Sequence, residues 1–127
     1  MQAELEAQDQ AWPARCTVLV VDRYQPSRQS ICSSIAELGY DVIAAATADD
    51  ARATMARWVI DLIVADADDD AIRGMVEELR GHRTPIRAVM LTTLADHRAG
   101  VTAATPLLEK PMHLDALADA IASALAG

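Results

Sequence analysis

Apolar and polar positions alternate along this chain in two rhythms. Thr17–Val21 (TVLVV) and Leu62–Ala65 (LIVA) are unbroken apolar or β-branched runs, the pattern of strands buried on both faces. Asp41–Ala45 (DVIAA), Ala88–Thr92 (AVMLT) and the short Pro106–Glu109 (PLLE) predict three more strands. Between them the period lengthens. Ser27–Leu38 carries Ile31, Ile35 and Leu38 at helical spacing and stops at Gly39, a helix C-terminal signal. Ala48–Val59 predicts a second helix, with Thr47 or Asp49 available as its cap. Ile72–Arg80, closed by Gly81, predicts a third. Leu114–Leu125 predicts the last, with Leu114, Leu117, Ile121 and Leu125 on one stripe.

Strands alternating with helices, the strands apolar on both sides, imply an α/β fold with a five-stranded parallel sheet. Right-handed crossovers make it doubly wound, with helices on both faces. Residues 1–12 read as a short polar helix or a frayed lead-in that Pro13 ends. The domain division is therefore an extension or linker over 1–15 and a single domain over 16–127.

Composition narrows the picture. A chain of 127 residues with 52% apolar content is long enough for one self-sufficient core. There is no Phe, so the core is expected to consist of Val, Ile, Leu, Met and Ala. The net charge of −8 argues against a nucleic-acid surface and against docking on anionic membranes. No apolar run approaches the roughly 18 residues of a membrane helix. The polar start is unlike a signal peptide. Cys16 and Cys32 form no C-x-x-C and are expected to be reduced thiols of a cytoplasmic protein.

In doubly wound sheets the ligand site lies at the carboxyl ends of the strands. There the chain carries Asp22 and Arg23, then Asp66 followed by Asp68, Asp69 and Asp70, then Thr92 and Thr93, then Lys110 and Pro111. Taken singly, each has an ordinary reading: Asp22 as a helix cap, the acidic triplet as a solvated loop, Thr92 as a turn hydroxyl. Taken together they suit a phosphoryl group. A carboxylate can act as nucleophile. A second can help hold Mg²⁺. A hydroxyl and an ammonium can bind the new oxygens. His82, His97 and His113 have no ligand spacing and read as surface residues; Trp58 reads as packing.

VLVVD (18–22), DLIVAD (61–66), Gly74, PIRAVMLTT (85–93) and LLEKP (107–111) resemble the receiver domain of two-component response regulators, over about residues 16–125. The resemblance implies the flavodoxin-like receiver fold. It implies that Asp66 accepts phosphate from a histidine kinase or phosphotransfer protein, assisted by Thr92 and Lys110. It also implies a Mg²⁺ site at Asp22, Asp66 and the backbone carbonyl of Asp68.

The chain departs from that family at four points. Arg23 stands where the family has a second acid, which weakens the Mg²⁺ site and sets a guanidinium near Asp66 or Asp22. Asp68 or Asp69 is then the candidate for a substitute carboxylate. Asp69 and Asp70 replace the usual Met-Pro. Leu107 replaces the aromatic switch residue. Only 18 positions separate Thr92 from Lys110, and they lack an amphipathic stripe, so a fourth helix is expected to be short or missing. Such a segment is similar to degenerate receivers of hybrid histidine kinases.

Three functions follow as expectations. The first is a phosphorelay receiver with at most autocatalytic transfer to its own Asp66. Its output would be a protein–protein interaction, and homodimerisation is left open. The second is a pseudo-receiver that takes no phosphate and acts as an interaction module. The third is another doubly wound cofactor binder; the absence of a phosphate loop and the few aromatics count against it.

Overall fold

The computed structural model describes residues 16–83, 85–93, 107–110 and 112–126. The strands are β1 (Thr17–Val21), β2 (Asp41–Ala45), β3 (Leu62–Asp66), β4 (Ala88–Thr92) and β5 (Leu107–Glu109). Among the described residues the helices are α1 (Gln25–Glu37), α2 (Ala48–Arg57), α3 (Asp70–Arg80) and α4 (Leu114–Ala126). The sheet runs β2-β1-β3-β4-β5, every pairing parallel. The expected doubly wound five-stranded sheet is therefore present. The chain winds outward from β1 to β2, then crosses to β3 and winds the other way. The switch lies between β1 and β3.

The two-sided apolar strands have the expected cause. Leu19, Val21, Ile63, Ala65 and Met90 point to one face, against Ala48 and Ala51 of α2 and Ile72, Met75 and Val76 of α3. Val18, Val20, Leu62, Val64, Val89 and Leu91 point to the other, against Ile31 and Ile35 of α1 and Leu117, Ala120 and Ile121 of α4. The period of two along each strand divides the side chains between two half-cores.

Helix ends are set by local chemistry. The Thr47 hydroxyl, not Asp49, caps α2 by accepting from the Asp50 amide at 3.1 Å. Asp69 caps α3 by accepting from the Ile72 amide at 3.1 Å, so that helix begins two residues before the apolar pattern does. Pro26 in the first turn lets α1 start at Gln25, ahead of the expected Ser27. Past α1, Gly39 takes φ +101°, a conformation open to glycine and costly elsewhere. α2 stops at Arg57, because Trp58 is extended; Trp58 is 57% exposed and is not the packing residue expected. On α4, Leu114 sits at the helix start and is exposed, while Leu117 and Ile121 carry the contact. His82 and His113 are exposed, as expected, while His97 lies outside the described residues. So do the N-terminal extension and the expected short or missing helix, over 94–106. No described helix is long and apolar enough to cross a membrane.

Ile63, fully buried on β3 between β1 and β4, tests this packing. Ile63→Val should cost about 1 kcal/mol and Ile63→Ala about 2–5 kcal/mol in urea unfolding, the second including the cavity left behind.

Candidate functional site

Strand register assembles the site. Val21 pairs with Ala65, so Asp22 and Asp66 end neighbouring strands side by side. Asp66 pairs with Leu91, which puts Thr92 one residue further along. Thr92 pairs with Glu109, and Lys110 follows. The structure thus brings Asp22, Asp66, Thr92 and Lys110 to one edge.

Lys110 joins the two acids. Its Nζ lies 3.2 Å from Asp22 Oδ2 and 3.4 Å from Asp66 Oδ1. Asp22 is 1% exposed, and both its oxygens are engaged. Oδ1 accepts from the Tyr24 amide at 2.9 Å, and Oδ2 accepts from the Ser27 hydroxyl at 2.7 Å as well as from Lys110. Asp66 Oδ1 also accepts from the Asp68 amide at 3.0 Å. No partner is found for Asp66 Oδ2 among the described residues. Asp66 lines an open cleft of about 550 Å³ with Arg23, Tyr24, Pro26, Asp68 and Asp69. Burial pushes the Asp66 carboxyl above its ordinary range. The Asp68 amide and Lys110 work against that rise, while the charges of Asp22 and Asp68 add to it.

The expected contact of the Arg23 guanidinium with Asp22 or Asp66 is not formed. Arg23 is 74% exposed and pairs through Nε with Asp69 Oδ2 at 3.3 Å. Lys110 occupies the place between the acids, and alternation past β1 turns residue 22 inward and residue 23 outward. Asp69 is committed to Arg23 and to capping α3. The Asp68 carboxylate is turned toward β4, where it accepts from the Thr92 hydroxyl, from the Thr93 amide at 2.8 Å and from the Thr93 hydroxyl at 2.7 Å. Neither acid joins Asp22 and Asp66 as the substitute carboxylate.

As a divalent-cation site the set fits poorly. Among the described residues, no three His, Cys, Asp or Glu side chains stand together as ligands. The two converging carboxylates already share an ammonium. Two participants, Ser27 and Arg28, escaped the pattern of the sequence. Ser27 and Lys110 both touch Asp22, with Lys110 Nζ also 3.5 Å from Ser27 Oγ. Arg28 Nη1 donates to the Asp22 carbonyl at 2.9 Å. Thr93 completes the hold on Asp68. A serine and an arginine in the first turn of a helix carry no signal that separates them from solvent-facing residues.

No family model and no curated protein matches the sequence. Solved structures do. A response regulator from Thermotoga maritima superposes with a TM-score of 0.76 at 19% identity, over 89% of this chain and 99% of that one. The chemotaxis response regulator CheY4 of Vibrio cholerae gives 0.74 at 24% identity, over 88% of this chain and 100% of that one. The response regulator TrrA from Thermotoga maritima, in complex with Mg²⁺-BeF, gives 0.76 at 20% identity, over 87% of this chain and 99% of that one. The chain has the fold of response regulator receiver domains.

The raised Asp66 pKa gives a test with a defined sign. The folded protein holds this proton more tightly than the unfolded chain does. The stability linked to the group is therefore full below the ordinary carboxylate range and is lost as pH rises through the folded value. Asp66→Asn cannot ionise, so it should melt above the wild type at pH 7. That margin should shrink as pH falls below about 4. Thermal melts of both proteins across pH 3 to 8 check it.

Proposed function

We propose that this chain is a phosphorelay receiver of two-component signalling. Asp66 takes a phosphoryl group from a phosphohistidine donor, a histidine kinase or phosphotransfer protein in the cytoplasm. The output is binding to a protein partner. The observation that supports this reading is Asp66 itself: a carboxylate at the end of a central strand, one oxygen held by Lys110 and an amide, the other without a partner among the described residues, lining an open cleft.

The transfer is written at that second oxygen. Asp66 Oδ2 bonds to phosphorus as the P–N bond of the phosphoimidazole breaks. The imidazole leaves with the electron pair and takes up a proton. Lys110 offsets charge on the acceptor side, and the Thr92 hydroxyl is a further donor for phosphoryl oxygens once it is released from Asp68. No metabolic activity is proposed beyond this self-modification.

Asp22, Asp66 and the Asp68 carbonyl are the oxygens left for Mg²⁺, Lys110 opposes it, and Arg23 adds no ligand, so we expect weak binding. These same features, with Leu107 in place of an aromatic, favour a second reading: a pseudo-receiver that keeps the fold as an interaction module.

Intact-mass measurement after incubation with Mg²⁺ and acetyl phosphate decides between the two. One added phosphoryl group on the wild type and none on Asp66→Asn is expected. No adduct from acetyl phosphate or from a phosphorylated histidine protein would leave only the interaction module. For the metal, Arg23→Asp should tighten Mg²⁺ binding by about tenfold, or ~1.4 kcal/mol, in a titration followed by calorimetry.

A further inference from the structure

We propose that the Asp68 carboxylate is a built-in occupant of the seat that a phosphoryl group on Asp66 would take, so that phosphorylation proceeds by displacing it. The inference rests on Asp66 being the acceptor. Asp68 is tied to that acceptor through its own amide, which donates to Asp66 Oδ1 at 3.0 Å. Its side chain crosses to the end of β4 and accepts, among the described residues, from the Thr92 hydroxyl, the Thr93 amide at 2.8 Å and the Thr93 hydroxyl at 2.7 Å.

Two hydroxyls and a backbone N–H converging on one carboxylate make an anion seat. It stands at the same sheet edge as Asp66 and Lys110. A phosphoryl group brings a charge of about −1.5 to −2 and three acceptor oxygens. Attached to Asp66, it would compete for these donors and repel a carboxylate two residues away. With Asp68 in place, the hydroxyl side of the seat is filled by an anion the chain carries itself. Departure of Asp68 takes its carboxylate off the Thr92 hydroxyl and the Thr93 amide and hydroxyl and lets the loop between β3 and α3 move.

The test uses Asp68→Ala and Asp68→Asn in the whole chain. Without any phosphodonor, exchange of the Thr93 amide hydrogen, read by NMR, should rise by about tenfold in Asp68→Ala. With Mg²⁺ and acetyl phosphate, an Asp66 oxygen bonds to phosphorus as the P–O bond to the acetyl group breaks and acetate leaves. That adduct should form about tenfold faster in Asp68→Ala than in the wild type. Asp68→Asn keeps the shape and removes the charge, and should fall between them. Unchanged Thr93 exchange in Asp68→Ala would overturn the proposal. So would a wild type that takes phosphate as fast as both variants. No adduct on any of the three proteins, from acetyl phosphate or from a phosphorylated histidine protein, with Thr93 exchange raised, would sink the acceptor reading of Asp66 and the proposal with it, leaving the hold of the threonines on Asp68 as a structural contact.

Discussion

Two carboxylates stand side by side at the ends of β1 and β3, and the ammonium of Lys110 is what makes that arrangement tenable. Asp22 is almost fully buried and Asp66 nearly so. Two like charges set side by side repel, and the charge of Asp22 pushes the Asp66 carboxyl up. Lys110 is itself largely buried and contacts both. Removing it would leave an uncompensated pair, which is far costlier than never having built one. The balance is incomplete at Asp66, whose carboxyl stays above its ordinary range because burial outweighs its two stabilising partners. Asp22 has more donors around it, from Tyr24, Ser27 and Lys110.

The sheet gives this cluster its precision. β1, β3 and β4 are buried along nearly their whole length, and a parallel strand that slipped by one residue would exchange its two half-cores. Register therefore fixes which residues end each strand together. The chemistry sits just beyond the last paired residues, where backbone ordered by the sheet meets loops free to vary.

The loop after β3 shows how a charged stretch is divided among tasks. Asp66 faces Lys110, Asp68 faces Thr92 and Thr93 at the end of β4, and Asp69 caps α3 and holds Arg23. Asp70 pairs with Arg73 on the outer surface of α3 at 2.6 Å. Four acids within five positions thus point to separate donors, although the charge of Asp68 still raises the Asp66 carboxyl. Asp66, Thr92 and Lys110 meet at the strand ends, while Arg23 pairs with Asp69 and Asp68 with the two threonines.

The five strands, the described helices to within two residues, and the strand-end residues Asp22, Asp66, Thr92 and Lys110 were legible in the chain. Each depends on local information: a run of β-branched residues, an apolar repeat, Gly39 after a helix, a polar residue where an apolar strand stops. Tertiary structure alone decided who pairs with whom. Arg23 turns to Asp69, Asp68 to Thr92 and Thr93, and Ser27 joins Lys110 on Asp22. These partners lie 5 to 88 positions apart. No period links one loop to another, so only the distances set by the packed sheet decide which donor reaches which carboxylate.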